Sequence, residues 1–269
     1  VEAEGDDLVH SDGKTAQKAV ELIGKYKDME KPFFLAVGLV RPHVPLVAPK
    51  KYFAPYPLSK IVLPPKIPGD QDDIPKNSAN KRTTANYKMD LNQQKGTLRA
   101  YYASVSFVDA LVGKILSALE ATGQRDNTIV IFTSDHGYHL GEHDLWQKVS
   151  IHEESAKVPL IICVPGKKPA VCNSLTELID LYPTVSKLCG LKIPGNIQGK
   201  DISTMLDDPT FKVRKAALSS GKGRLLRTEK WAYLDYGKTG ELYDMEKDPK
   251  QYTNLIKDSK YAMILNQLK

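Results

Sequence analysis

The chain has 269 residues, of which 41% are hydrophobic and 26% are charged, and its formal net charge at pH 7 is +6. This length can bury the core of one large domain or two modest ones, and the composition is typical of a globular protein. No apolar stretch approaches the roughly 20 residues of a membrane-spanning helix, so the sequence predicts no membrane span.

The positive charge is concentrated near the carboxyl end. Residues 210–269 hold 13 Lys and Arg against 7 Asp and Glu, a surplus of 6, whereas residues 1–209 hold 25 of each. A basic region could steer a polyanionic substrate, although a solvated lysine-rich surface is the more ordinary explanation. Nucleic acid is disfavoured because basic and aromatic residues do not interleave as a stacking surface requires.

The cysteines and the chain start limit what else the sequence predicts. Cys163, Cys172 and Cys189 lack zinc-site spacing, and their odd number argues against a complete disulfide framework, so we predict free, buried thiols.

The chain begins at Val1 without an initiator methionine or an apolar signal segment. We therefore expect a fragment or a processed chain.

Hydrophobic periodicity predicts the first elements in chain order. Helical spacing marks residues 12–28, and a short buried strand follows at 33–38. Residues 39–92 are rich in proline and are predicted to be irregular. The longest helix is predicted over 98–119 and ends near Gly123.

The later elements define the fold class. Strands at 128–134 and 159–164 alternate with a helix over 175–188, which favours an α/β fold with a largely parallel sheet flanked by helices. From about residue 209 the pattern changes to a small antiparallel sheet plus one helix. We therefore predict two domains, residues 1–208 and 209–269. The predicted C-terminal strands are 216–220, 223–228, 231–234 and 241–244, and the helix covers 252–268.

The sequence Thr-Ser-Asp-His-Gly at residues 133–137 carries the strongest chemical signal. It follows an apolar, β-branched run that is typical of a strand buried on both faces. Asp135 and His136 are thus expected at the carboxyl end of a strand, where open α/β sheets bind ligands. Adjacent carboxylate and imidazole groups on a tight glycine turn suit a metal ion. An Asx turn with a solvated histidine is the alternative.

Several further motifs extend this signal along almost the whole chain. With them, the chain resembles the sulfatase family of the alkaline phosphatase superfamily, and most closely its iduronate-2-sulfatase-like members. The motifs are Phe-Phe-Leu-Ala-Val-Gly with Arg-Pro-His-Val-Pro (33–45), Leu-Gly-Glu-His-Asp-Leu-Trp-Gln-Lys (140–148), Val-Pro-Leu-Ile with Val-Pro-Gly (158–166), Asp-Leu-Tyr-Pro-Thr-Val (180–185) and Glu-Leu-Tyr-Asp-Met-Glu-Lys-Asp-Pro (241–249).

The resemblance implies roles for several residues. Asp135 and His136 match half of a calcium site, although the nitrogen donor leaves magnesium, manganese or zinc possible. Lys148 matches a lysine that contacts the sulfate, and a surface lysine is the alternative. His43 matches a histidine that contacts the sulfate and could protonate the leaving oxygen.

Three further residues are candidates for binding the substrate. Tyr138 and His139 lie in the loop that lines the substrate opening in such enzymes, so we interpret them as specificity residues. Arg41 could bind a carboxylate or a second sulfate, and an ordinary surface role is equally compatible with the sequence. Glu142 and His143 are expected to hold the loop through hydrogen bonds.

The family's nucleophile is missing. Sulfatases use a Cys or Ser in Cys-x-Pro-Ser-Arg that becomes formylglycine, and this sequence has no such motif. Cys163-Val-Pro-Gly is only a superficial imitation, so Cys163 is assigned to the core. The family's amino-terminal Asp-Asp metal pair is absent too. The chain thus looks like the carboxyl-terminal part of a sulfatase, inactive alone and dependent on the N-terminal part of the same enzyme.

The resemblance implies that the full-length enzyme hydrolyses sulfate esters of a glycan, and that it is secreted, periplasmic or lysosomal. A phosphatase or phosphonate hydrolase of the same superfamily is the nearest alternative. Two-metal members of that group need further histidine ligands, and this chain has no histidine after His152. A non-catalytic glycan-binding homologue is the alternative from another class.

Overall fold

The computed structural model describes residues 1–78 and 83–269. The chain forms two compact units: unit 1 comprises Val1–Pro64 with Lys88–Ile129, and unit 2 comprises Pro65–Tyr87 with Val130–Lys269. The predicted domain boundary at residue 209 falls inside unit 2, so the division into 1–208 and 209–269 stays a prediction.

The helices and strands are mostly short. The helices are α1 (Ser11–Tyr26), α2 (Thr84–Tyr87), α3 (Leu91–Ala121), α4 (Glu153–Ala156), α5 (Leu181–Leu188) and α6 (Ala262–Leu268). The strands are β1 (Glu2–Ala3), β2 (Ala48–Pro49), β3 (Val130–Thr133), β4 (His139–Leu140), β5 (Trp146–Gln147), β6 (Leu160–Cys163), β7 (Ala216–Ser220), β8 (Arg224–Thr228), β9 (Trp231–Asp235) and β10 (Gly240–Asp244).

In unit 1, α1 packs against the long helix α3. A capping box starts α3, because Asp90 accepts a hydrogen bond from the Gln93 backbone and Gln93 accepts one from the Asp90 backbone. Small residues allow the helices to approach closely around the aromatic ring of Phe107. The buried core cluster of this unit is Ala16, Ala48, Phe53, Ala100, Ala103, Phe107 and Leu111.

Helix α3 is long and apolar enough to cross a membrane by length and composition. One face of it, including Phe107 and Leu111, is completely buried in the core of unit 1. A core helix passes the same test, so the predicted absence of a membrane span stays a prediction.

The strand predicted over 33–38 is wrong for this structure. These residues alternate between half-buried and exposed, as an extended segment does, but they form no strand, and the Phe34 side chain is 82% exposed. A strand exists only when its backbone groups pair with a neighbour. Among the described residues no neighbour is present. The proline-rich stretch is irregular as predicted, apart from the two-residue strand β2, short turns of helix and the start of α3. Residues 79–82 lie outside the described residues.

The predicted largely parallel sheet is not formed by the strands that the structure describes. β3 and β6 pair antiparallel, with Val130 opposite Cys163 and Thr133 opposite Leu160. Only the two-residue strands β1 and β2 pair in parallel. The antiparallel pair remains open on one face, where Ile161 is 60% exposed. Parallel sheets normally have both faces covered by helices, which this two-stranded sheet lacks.

The predicted C-terminal antiparallel sheet is confirmed. Its strand order is β10-β9-β8-β7, and each neighbouring pair is antiparallel. Every residue of β10 is buried. The helices on either side are shorter than predicted: α5 begins at Leu181 because Glu177 and Asp180 cap a 3₁₀ turn before it. The last helix was predicted to begin at residue 252, but α6 begins at Ala262. The Asn254 backbone N–H donates to the Asp73 carboxylate and not to a helix carbonyl.

Cys172 and Cys189 are free thiols, as predicted. Cys163 and Cys172 are half-buried, whereas Cys189 is exposed, so the prediction that all three are buried is wrong. Cys189 is the C-cap of α5, where the chain leaves the packed helix face.

We expect Phe107→Ala to lower the free energy of unfolding by about 3–5 kcal/mol, because it removes a fully buried ring and leaves a cavity. The matched control is Val105→Ala on the same helix, where the side chain is 44% exposed and little packing is lost. Urea unfolding followed by circular dichroism measures both. Equal effects of the two substitutions would contradict this description of the core.

Candidate active site

A tight turn follows β3 and carries the candidate metal ligands. The Gly137 N–H donates to the Ser155 carbonyl at 2.9 Å, which holds the turn against the start of the next segment. A Cβ atom at Gly137 would lie 2.0 Å from the Glu154 carbonyl oxygen. Only glycine therefore permits this approach of the two backbones.

Within the turn, the Asp135 and His136 side chains converge. The His136 ring Nδ1 lies 2.8 Å from the Gly137 carbonyl oxygen, and Nε2 lies 3.6 Å from Asp135 Oδ2. A carbonyl only accepts, so Nδ1 is assigned the proton, and Nε2 of the neutral ring keeps its lone pair. That tautomer presents a nitrogen donor beside a carboxylate, as a metal ligand pair requires.

The Asp135 carboxylate is poised to stay ionised. Partial burial favours the neutral acid, but the neighbouring His136 and hydrogen bonds from backbone N–H groups outweigh it and lower the pKa of Asp135. Its side chain is 85% exposed, so the carboxylate is accessible to a ligand.

These two donors fit a cation as part of a site, and more ligands are needed to complete it. Calcium takes six to eight oxygen ligands, and one carboxylate supplies at most two. In the parts of the chain that the structure describes, no group of three or more His, Cys, Asp or Glu side chains could hold a metal ion. The Asp135–His136 pair therefore supplies only part of the ligands that a cation site needs.

Tyr138 and Lys148 lie at one end of the hairpin formed by β4 and β5, where the turn with Asp135 and His136 leads into it. β4 pairs with β5 so that His139 lies opposite Gln147, and the residues just outside this pair are Tyr138 and Lys148. Lys148 is half-buried and has no ion pair with a described residue. The register thus places Lys148 across the hairpin from Tyr138, the residue that follows the turn with Asp135 and His136.

Hydrogen bonds hold the tip of this hairpin, as expected for Glu142 and His143. Glu142 Oε2 accepts from the Leu140 N–H at 2.6 Å. The His143 ring is buried with its Nδ1 3.1 Å from Asp70 Oδ2. Burial disfavours its charged form, but the hydrogen bond and charge of Asp70 dominate and raise the pKa of His143.

His139 does not line a substrate opening in this structure. Its side chain is completely buried, and additional protein could only cover it further. The burial does not support the substrate-binding role of His139, which stays a prediction. Sequence reasoning missed this because the residues that bury the ring, among them His152, lie elsewhere in the chain. Tyr138 is half-buried, and its role in binding stays a prediction.

His43 and Arg41 belong to unit 1, and their placement beside the ligands of unit 2 stays a prediction. Arg41 donates from Nε to the Val47 carbonyl at 2.9 Å and from Nη1 to the His43 carbonyl at 3.0 Å. Its guanidinium group thus closes the loop that presents His43. The exposed His43 ring has Nδ1 2.6 Å from the Val44 carbonyl oxygen, which leaves Nε2 directed away from its own backbone.

Sequence reasoning missed Asp12, which holds the loop that carries His43. It lies in the first turn of α1, is buried, and accepts hydrogen bonds from the backbone N–H groups of Val40 (3.1 Å) and Arg41 (2.8 Å). The carboxylate therefore fixes the start of the His43 loop. Its position in a first helical turn was a visible signal, but the partner loop lies 28 residues away.

Comparison with known proteins identifies the family of this site. The sulfatase family model matches residues 5–191, and the model described as N-sulphoglucosamine sulphohydrolase, C-terminal, matches residues 141–269. A sulfatase from Formosa agariphila is 33% identical over 255 residues, which cover 90% of this chain and 50% of that protein. Human iduronate 2-sulfatase is 33% identical over 223 residues, which cover 68% of this chain and 40% of that protein.

Structural comparison confirms the predicted α/β fold of the alkaline phosphatase type. A phosphonate monoester hydrolase from Silicibacter pomeroyi superimposes with a TM-score of 0.87 at 22% identity, over 98% of this chain and 59% of that one. By sequence, the chain spans about half the length of the curated relatives it matches.

We expect Gly137→Ala to lower the free energy of unfolding by about 1–3 kcal/mol, because the added methyl group would overlap the Glu154 carbonyl. Gly24→Ala in α1 is the matched control: its Cβ meets nothing within 4 Å, and helix propensity predicts a gain of up to about 1 kcal/mol. Urea titration of each variant measures the difference. A neutral Gly137→Ala would contradict the close backbone approach.

The pH dependence of stability tests the burial of His139. Burial first, and then the neighbouring His152 and His143, lower the pKa of His139 well below its ordinary value, so the folded ring stays neutral. As the pH falls below about 6.5, the unfolded chain gains a proton there and the folded chain does not, which destabilises the fold.

We therefore expect His139→Gln, which cannot titrate, to lose less thermal stability than the wild type between pH 7 and pH 5. Differential scanning calorimetry at both pH values makes the comparison. Identical pH dependence in the two proteins would show that His139 titrates normally.

Proposed function

The chain belongs to the sulfatase family, and on that premise we propose that the protein carrying it hydrolyses sulfate esters. One observation carries the proposal. The Asp135–His136 turn, with its two side chains 3.6 Å apart, lies at the end of the hairpin from which the unpaired Lys148 emerges. A cation site beside a fixed ammonium group suits a tetrahedral oxyanion.

Each residue has a role in this proposal. Asp135 and His136 hold a divalent cation, calcium by family resemblance, which when bound would neutralise charge on the sulfate oxygens. Lys148 stabilises the negative charge that develops on the bridging oxygen. His43 donates a proton to the departing alcohol, since a histidine can act as an acid near neutral pH.

The nucleophile is proposed to come from the amino-terminal half that the relatives possess. In this family it is formylglycine, and no residue of this chain matches its motif. The remaining metal ligands would come from the same half, because Asp135 and His136 supply too few donors alone. The proposal therefore assigns activity to the full-length protein and none to this chain by itself.

A sulfated glycan is the proposed substrate class. Human iduronate 2-sulfatase by name acts on a sugar acid, and the carboxyl-terminal family model is described by a sulphoglucosamine. The surplus of 6 positive charges in residues 210–269 would attract such a polyanion. A secreted, periplasmic or lysosomal location is proposed on the same resemblance.

Two alternative functions determine which substrates the assay must include. The fold similarity to a phosphonate monoester hydrolase makes a phosphonate or phosphate ester the rival substrate. A homologue that binds glycans without turnover is the second rival. Turnover of sulfated saccharides, phenyl phosphonate esters and aryl phosphates by the full-length protein separates the three.

In the full-length protein, we expect Lys148→Ala to reduce kcat/KM on a sulfated saccharide by about 10²-fold or more, because a preorganised charge is lost from the transition state. Asp135→Ala should abolish turnover and lower the metal content measured by mass spectrometry. Lys187→Ala, an exposed lysine near the end of α5, is the matched control and should leave the rate unchanged.

A Lys148→Ala rate close to wild type would place that lysine on the surface. Unchanged turnover and metal content in Asp135→Ala would refute the cation site. Preferential turnover of a phosphonate ester would replace the proposed substrate.

A further inference from the structure

A chain of hydrogen-bonded polar side chains, three buried and one half-buried, runs through unit 2. Its members are His139 in β4, Ser150 after β5, His152 before α4 and Glu241 in β10. The three ionisable side chains are almost completely excluded from solvent. Such groups are costly to bury unless they are hydrogen-bonded, so their pairing carries structural information.

The distances connect all four residues in sequence. His139 Nε2 lies 3.0 Å from Ser150 Oγ, and Ser150 Oγ lies 3.0 Å from His152 Nδ1. His152 Nε2 lies 2.8 Å from Glu241 Oε2. The Ser150 oxygen also accepts the His152 backbone N–H at 3.0 Å.

The end of this chain at Glu241 has an assigned proton. Burial raises the pKa of Glu241, but the hydrogen bonds from His152 and Tyr243 outweigh it and lower that pKa, so the carboxylate accepts and His152 Nε2 donates. Ser150 Oγ lies between the two imidazole rings and also accepts the His152 backbone N–H.

The other end of this chain is a neutral ring. His139 Nδ1 is buried without a hydrogen-bond partner among the described residues, as expected for the bare nitrogen of a neutral imidazole. Burial, followed by the two neighbouring histidines, lowers the pKa of His139 and keeps the ring uncharged. The chain therefore joins His139 to Glu241 through Ser150 and His152.

The far end of this chain is anchored in the C-terminal sheet. Glu241 Oε2 also accepts from the Tyr243 hydroxyl at 2.6 Å, and both residues are completely buried in β10. Ile151, between Ser150 and His152, packs in the same apolar cluster as Tyr243 and Leu234. The segment that follows Lys148 is thus fixed to the most buried strand of the unit.

We propose that His139 and Ser150 are positioning residues for Lys148. His139 lies opposite Gln147, the residue before Lys148, and Ser150 is the second residue after it. The hydrogen bond between the His139 and Ser150 side chains joins the segments on either side of Lys148. One of these segments continues directly from the turn that carries Asp135. This inference rests on the proposed function, in which Lys148 contacts the sulfate.

A double-mutant cycle in the full-length protein tests the proposal. We expect Ser150→Ala to lower kcat/KM on a sulfated saccharide about tenfold, because a small misplacement of a catalytic group is costly. In the Lys148→Ala background the same substitution should cost less than about twofold, since residues that act together are not additive. Ser150→Thr, which keeps the hydroxyl group, should restore most of the rate.

The controls separate positioning from folding. Ser104→Ala removes another buried serine hydroxyl, which donates to the Ala100 carbonyl in α3, and should leave the rate unchanged. His139→Leu provides a second cycle with Lys148→Ala, with the same expected non-additivity.

An equal loss of rate from Ser150→Ala with and without Lys148 would overturn the inference while leaving the proposed function intact. Absence of sulfate-ester turnover in the wild-type protein would instead overturn the proposed function, and with it the role of Lys148. Failure of Ser150→Thr to recover activity would also count against the hydroxyl-mediated link.

Discussion

The candidate site depends on one close contact between two backbones. The Gly137 N–H meets the Ser155 carbonyl, and no side chain fits between Gly137 and the Glu154 carbonyl. This contact sets the path of the turn after β3 and so brings Asp135 and His136 together. A residue with a Cβ atom would push the segments apart and separate the carboxylate from the imidazole.

Buried polar groups, together with an apolar cluster that includes Ile151, stabilise the surroundings of this turn. The hairpin from β4 to β5 is only two residues long on each side, too short to be stable alone. Buried imidazoles and carboxylates connect it to β10, and each such group requires a partner. A network of this kind specifies one geometry, because any displaced member leaves a buried polar atom unsatisfied.

The sequence predicted the local features well and the non-local ones poorly. Asp135 and His136 were recognisable because strand, turn and glycine are adjacent in the chain, and the alternating pattern of residues 216–244 predicted the C-terminal sheet. The strand at 33–38 was wrong, since strand pairing depends on neighbours that no local pattern contains. The burial of His139 was equally invisible, because the His152 ring beside it belongs to a later segment of the chain.

A crystal structure of the full-length protein, grown with calcium and inorganic sulfate, would show whether Asp135 and Lys148 share one site. We expect a cation within about 2.3–2.6 Å of an Asp135 carboxylate oxygen. We also expect a sulfate oxygen within about 3 Å of Lys148 Nζ, the length of a charge-assisted hydrogen bond. A cation bound elsewhere, with Asp135 and Lys148 both facing solvent, would contradict the shared site.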